Sequence, residues 1–403
     1  MARVLFVTIP AEGHVNPTLG LVKQLIENGE EVVYMCTEEY RERLAQTGAE
    51  YRAYHLDEHL FRELGLNPTE FKHPLNFTEF ILRGIIEPHI PEILKLTEND
   101  SFDYVIFDSL FCWGGDILGK RFGVPTFCSV TNLAFTEPLS NIVEVFDTGE
   151  LDIEALRDRV TKAAQNVANI CNVDMPVIED ITRQYGQYKI VFTSREFQPD
   201  VEKLDDSYIF IGPSITPRPD APSFPFEQLR SQYDKVVYIS MGSILNKDVE
   251  FYKFCFQAFQ DVPAQFVLSC GKDTDLEPIA DYIPPHFIIE PYVPQLEVLQ
   301  QSNAFVTHAG MNSTSEGLYY GVPLVMIPLS SDQPIVAKQV EKLGAGILLD
   351  KNELTPELLK SALLQVLNDT SFREHAEQIG DSFRNAGGYK EAANRIMSLF
   401  SKV

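Results

Sequence analysis

The 403-residue chain exceeds what one hydrophobic core ordinarily supports, so at about 150 residues per domain two large domains are expected. Its formal charge of -25 sets long-range repulsion against nucleic acids and anionic membranes, which excludes both as expected partners while leaving room for a phosphate bound locally. Cys36, Cys112, Cys128, Cys171, Cys255 and Cys270 form no CxxC pair and sit mostly in apolar runs, VLFVTI is too short for a secretory segment, and no run approaches about 18 apolar residues, so a soluble, cytoplasmic protein is expected.

In chain order, VLFVTI (4–9), EVVYM (31–35), DYVIF (103–107), PTFCSV (125–130) and KIVFTS (189–194) alternate with longer helical patterns, as parallel strands joined by crossover helices do. VLFVTI runs into PAEGHVNP, which places His14 in the loop before a helix beginning near Thr18. DYVIF ends in Asp108. Where two such strands are neighbours their ends converge, and an Asp on one imidazole nitrogen fixes the tautomer and raises the basicity of the other, as a general base requires. The alternatives are a structural or solvated His14 and an Asp108 that only caps the next helix. Between these strands HLDEH (55–59) follows the strand-like YRAY and matches HxxEH, a zinc-hydrolase pattern that needs a helix and a third ligand to work.

GPSITPRPDAPSFPF (212–226) carries five prolines and reads as a semi-rigid joint. The alternation then resumes with VVYIS (236–240), QFVLSC (265–270), FIIE (287–290), AFVT (304–307) and PLVMIP (323–328). FGVPTFCSV and YGVPLVMIP repeat one phrase, helix end, turn and strand, which suggests two similar doubly wound domains. The expected division is 1–211, a linker at 212–234, a second domain at 235–383, and a C-terminal helix at 384–403.

Ligands of such sheets collect beyond the carboxyl ends of the strands. AFVT ends in His308 and Gly310, and a helix begins near Asn312, so free N–H groups and the helix dipole make an anion site. Ser313 and Glu316 share a helix face, which lets a hydroxyl meet phosphate while the carboxylate accepts ribose hydroxyls; an ordinary N-cap followed by Glu is the alternative. Tyr292 and Gln295 follow FIIE, where an aromatic ring can stack on a nucleobase or simply close the strand. Asp332 and Gln333 follow PLVMIP and suit a vicinal diol. ISMGS ends in Gly242 and Ser243, either a turn or a further phosphate-facing loop. Asp273-Thr274-Asp275 is a DxD without supporting context and reads as an exposed acidic loop.

GHVNP, the FDS strand end, and VPQ, VTHAGMNSTSEG, GVPLVMIP and DQ together resemble the UDP-glycosyltransferase family, with the bacterial macrolide and flavonoid glucosyltransferase branch as the nearest likeness, over essentially the whole chain. The resemblance implies a GT-B fold, two Rossmann-like doubly wound parallel-sheet domains facing across a cleft, the first for the acceptor and the second for the nucleotide sugar, with the last helix packing back on the first. It implies His14 as general base with Asp108 as its partner, and uracil contacts from Tyr292 and the Val293 backbone. Gln295 and Glu316 match the ribose contacts. Ser243, His308, Gly310, Asn312 and Ser313 match the diphosphate contacts, and Asp332 and Gln333 the sugar contacts. Tyr292 and Met311 stand where plant members carry Trp, which keeps dTDP-sugars open beside UDP-glucose. The expected reaction is inverting, metal-independent transfer of glucose from UDP-glucose to a hydroxyl of a small apolar acceptor, with Phe77, Phe80, Phe111 and Phe135 as candidate acceptor walls or core residues. No cofactor or metal is expected. A GT-B epimerase or lipid-intermediate transferase, a non-catalytic nucleotide-sugar binder and the zinc hydrolase are the competing readings.

Overall fold

The computed structural model describes residues 1–56, 59–66, 71–143, 151–218, 221–229, 232–242 and 248–400. The chain divides into one unit of Met1–Ser214 with Ala386–Val403 and another of Ile215–Asn385.

In the first unit the apolar runs become β1 (Arg3–Val7), β2 (Glu31–Cys36), β3 (Glu50–Ala53), β4 (Tyr104–Asp108), β5 (Thr126–Val130), β6 (Tyr188–Val191) and β7 (Tyr208–Phe210). They pair in parallel in the order β3-β2-β1-β4-β5-β6-β7. Successive side chains of a strand leave opposite faces. Accordingly Leu5, Val7, Val33 and Met35 enter one core, and Val4, Phe6, Val32 and Tyr34 enter another. An all-parallel sheet needs both faces covered, and helices cover them.

The helix after β1 spans Glu12–Glu27, several residues earlier than the sequence suggests, with Pro17 inside it. The earlier start puts His14 in the first turn instead of in a loop. Leu21, Val22 and Leu25 of this helix share a core with Ala392, Ala393 and Ile396 of the C-terminal helix Gly388–Phe400.

The second unit holds β8 (Val236–Ser240), β9 (Gln265–Ser269), β10 (Phe287–Glu290), β11 (Ala304–Thr307), β12 (Leu324–Met326) and β13 (Gly346–Leu348), all parallel, in the order β10-β9-β8-β11-β12-β13. The repeated phrase has one structure in both units. Helices Trp113–Phe122 and Met311–Tyr319 each run into a left-handed glycine, Gly123 (φ 67°) and Gly321 (φ 69°), before the next strand. Glycine takes that conformation without the Cβ penalty.

Each sheet reverses its winding once, between β1 and β4 in the first and between β8 and β11 in the second. The crevice beyond the carboxyl ends of the strands at such a reversal is where open α/β sheets bind ligands.

Candidate active site

At the β1/β4 reversal, the first helical turn presents His14 to the end of β4. His14 Nδ1–H donates to Asp108 Oδ2 at 2.6 Å; the carboxylate is fully buried and the imidazole about one-fifth exposed. An ionised carboxylate only accepts, so the proton resides on Nδ1 and the lone pair on Nε2. Asp108 Oδ1 accepts from the Leu110 amide at 2.8 Å. The carboxylate therefore both caps the short turn that follows and holds the histidine, one oxygen for each task.

Further groups fix this geometry. Thr131, at the end of β5 and buried, brings Oγ1 to 3.2 Å from His14 Nδ1. The Tyr34 hydroxyl bonds Thr8 Oγ1 at 2.9 Å, just past β1, and Thr18 Oγ1 at 2.8 Å, on the His14 helix, tying helix to strand end. Burial holds the Tyr34 phenol far above its usual range, so it stays a neutral bridge. No sequence signal marked Thr131 or Tyr34, because their partners are remote in the chain and their own runs read as apolar strands.

At the β8/β11 reversal, β11 is followed directly by His308, whose ring lies between two glycines. A Cβ built on Gly242 would come within 2.6 Å of His308 Nε2, and one on Gly310 within 2.5 Å. Burial pushes the His308 imidazole down to about 4, so it is neutral at physiological pH. Between them Ala309 adopts φ 62°, a conformation costly for a side-chain-bearing residue. Met311, Asn312 and Ser313 form the first turn of helix Met311–Tyr319, the anion-accepting end.

Gln295 and Glu316 meet directly. Gln295 Nε2 donates to Glu316 Oε2 at 2.7 Å, and the Tyr238 hydroxyl donates to Gln295 Oε1 at 2.9 Å, which fixes the orientation of the amide. The other Glu316 oxygen accepts from Arg218, a residue of the proline-rich joint. Tyr292 is about half exposed with the Lys272 ammonium 5.4 Å from its ring centroid, and Val293 beside it is buried. Asp332 precedes helix Gln333–Lys342. The Gln333 side-chain oxygen accepts from the Leu329 and Ser330 amides at 2.8 and 3.2 Å, so it shapes the loop after β12 and only its amide nitrogen is a candidate sugar donor. Ser243 lies outside the described residues.

The four phenylalanines part company. Phe111 is fully enclosed and Phe77 nearly so, both in the first unit's core. Phe80 is partly buried and packs on Phe71, Phe77 and Phe61. Phe135 lines a cavity of about 520 Å³ with Arg183, Tyr185, Lys189 and Tyr208, but Thr126, Lys189 and Tyr208 place that cavity toward the amino ends of β5, β6 and β7, whereas His14 and Asp108 stand at carboxyl ends. In the DxD, Asp275 caps the following turn by accepting from the Glu277 amide at 3.0 Å, and Thr274 donates to the Cys270 carbonyl at 2.6 Å. Asp57 and Glu58 of HLDEH lie outside the described residues. Among the described residues no three His, Cys, Asp or Glu side chains gather as a metal site, and no helix is long and apolar enough to cross a membrane.

Residues 214–383 match the family model described as UDP-glucoronosyl and UDP-glucosyl transferase. An uncharacterized UDP-glucosyltransferase of Bacillus subtilis, YojK, is 38% identical, the alignment covering 98% of this chain and 97% of that protein. The NDP-glycosyltransferase YjiC of the same organism is 32% identical over 99% and 98%. Among solved structures, the glycotransferase of kitacinnamycin superposes with a TM-score of 0.82 at 25% identity, over 98% of both chains.

Proposed function

From the premise that the chain belongs to the UDP-glucoronosyl and UDP-glucosyl transferase family and is a glycosyltransferase of the GT-B fold, we propose that it moves glucose from UDP-glucose to a hydroxyl of a small apolar acceptor, a flavonoid, a macrolide or another phenol or alcohol, with inversion and without a metal. UDP-glucose is supported by the relatives named as UDP-glucosyltransferases. The observation that carries the mechanism is the 2.6 Å contact between His14 and a fully buried Asp108. His14 Nε2 takes the proton of the acceptor hydroxyl as its oxygen attacks the anomeric carbon. The bond from that carbon to the diphosphate oxygen breaks, UDP leaves with the electron pair, and an α-linked donor gives a β-glucoside. Asp108 stabilises the imidazolium that forms.

The donor's charge is handled by the second unit. Met311–Tyr319 offers its N-terminal amides to the diphosphate. Gln295 and Glu316 take the ribose, Tyr292 and Val293 the base, and Asp332 with the Gln333 amide nitrogen the sugar. Preorganised donors of this kind stabilise a departing diphosphate without a Lewis acid. Mass spectrometry of products from UDP-glucose with a panel of phenols and macrolides, with and without EDTA, tests the reading. Mono-glucosides formed equally in both conditions support it. Activity abolished by EDTA and restored by Zn²⁺ or Mn²⁺ refutes the metal-independent mechanism.

A further inference from the structure

Arg218 belongs to the segment that the sequence presents as a joint, and a joint has no need of a directed cation. Residues 215–218 have no regular secondary structure, yet the guanidinium reaches helix Met311–Tyr319 and pairs with Glu316. The Glu316 side chain is only 6% exposed and Arg218 30% exposed, so the pair is sheltered on the carboxylate side and open on the other.

The hydrogen bonds around Glu316 run one way. Tyr238, fully buried on β8, donates to Gln295; Gln295 donates to Glu316 Oε2; Arg218 donates to Glu316 Oε1. The chain begins on a rigid strand and ends in a carboxylate whose two oxygens are each held by a separate donor. Each carboxylate oxygen has a second lone pair, so the group keeps two acceptor positions side by side. A vicinal diol supplies two hydroxyl donors at matching spacing, and a single hydroxyl satisfies only one.

We propose that Arg218 is a positioning residue that sets the preference of this site for ribonucleotides over 2′-deoxyribonucleotides, by fixing Glu316 so that both its oxygens face the ribose diol. The proposal rests on the reading of the second unit as the nucleotide-sugar site. A 2′-deoxy ligand leaves one sheltered, charged acceptor without its donor. Losing a hydrogen bond to a charged group costs about 10- to 100-fold in affinity. Without the guanidinium, Glu316 is steered by Gln295 alone, the two acceptors are no longer held together, and the penalty on the missing hydroxyl disappears.

Calorimetric titration with UDP and 2′-deoxy-UDP, which differ only in that hydroxyl, tests this on the full chain and on Arg218→Ala, Arg218→Lys and Arg218→Gln. The unaltered protein should prefer UDP by at least about 10-fold. Arg218→Ala should reduce the ratio to below about threefold, mainly by weakening UDP, and Arg218→Lys, which keeps a cation, should recover most of it. A merely structural role predicts equal losses for both nucleotides with the ratio unchanged, and that result overturns the proposal. Tighter UDP binding by Arg218→Ala also overturns it, since Arg218 would then compete with the ribose for Glu316. If Arg218→Ala does not fold, Arg218→Gln, which keeps a donor but no charge, is judged by the same ratio. An unaltered protein that binds neither nucleotide removes the nucleotide-site reading itself; one that prefers UDP while every variant keeps its ratio removes only the role of Arg218.

Discussion

The two oxygens of Asp108 show why a strand-end carboxylate need not choose between structure and chemistry. One oxygen satisfies the Leu110 amide and the other orients His14. The sequence offered these as alternatives because a residue type at a strand end is compatible with both. Proximity was legible only as a condition, that the two strands be neighbours, and the sheet order β2-β1-β4 meets it. Thr131 and Arg218 were not legible: each acts on a residue about a hundred positions away, and neither lies in a motif. His14→Ala should lower transfer to an alcohol by about 10² to 10⁴-fold, the usual contribution of a general base, while calorimetry finds UDP affinity unchanged. With a phenol, whose pKa near 10 leaves some phenolate in mildly alkaline buffer, raising the pH should restore part of the rate. Normal turnover, or UDP affinity lost in parallel, removes His14 from the role of base.

Among elements, the loops that follow β11 and β12 hold the two non-glycine residues of positive φ found among the described residues of the second unit, and several of the candidate donor contacts. Ala309 and Ser331 both have φ 62°, and each lies within three residues of a proposed contact. Gln333 stabilises the second loop from within by accepting two of its amides. The sequence showed that this loop carried Asp332 and Gln333 but not that the Gln333 oxygen turns inward, because an amide reads alike in either orientation. The edge strands β7 and β13 were missed because each spans only three residues, whereas the edge strand β10, four residues long, was legible as FIIE. The helix start at Glu12 was not legible because its N-cap, Ala11, has no capping side chain and Pro17 lies inside the helix. Two substitutions separate the roles of neighbours in the second loop. Asp332→Ala should weaken use of UDP-glucose by about tenfold and leave UDP binding intact, since its carboxylate is assigned to the sugar. Gln333→Ala should also destabilise the protein by roughly 1–3 kcal/mol for each loop amide it leaves unsatisfied, seen as a lower melting temperature. Equal loss of UDP and UDP-glucose affinity in Asp332→Ala would refute the assignment to the sugar.

For the whole molecule, the consequence is that stability is divided as the chemistry is. Among the described residues each unit holds a strongly depressed histidine. His89, buried and with Nδ1–H donating to the Ile85 carbonyl at 2.8 Å, and His308 are both pushed by burial from 6.5 down to about 4. The unfolded chain takes up these protons as pH falls below about 6.5, and the folded chain resists until about 4. Each histidine should therefore remove stability across that window, reaching about 3 kcal/mol below it, and neither should matter above pH 7. Urea midpoints at pH 7 and 4.5 check the direction, and His89→Gln should flatten part of the slope. The separate cores allow a sharper test. Ile396, on the C-terminal helix, lies wholly within the first unit's core beside Leu21 and Leu25 of the His14 helix, so Ile396→Ala should cost that unit about 2–5 kcal/mol. UDP at a hundred times its Kd should add about 2.7 kcal/mol to the second unit, where the candidate nucleotide contacts lie. In scanning calorimetry the substitution should lower one transition and the nucleotide should raise another, each leaving its counterpart in place. If both perturbations move a single peak, the units unfold as one cooperative body and this division of stability is wrong.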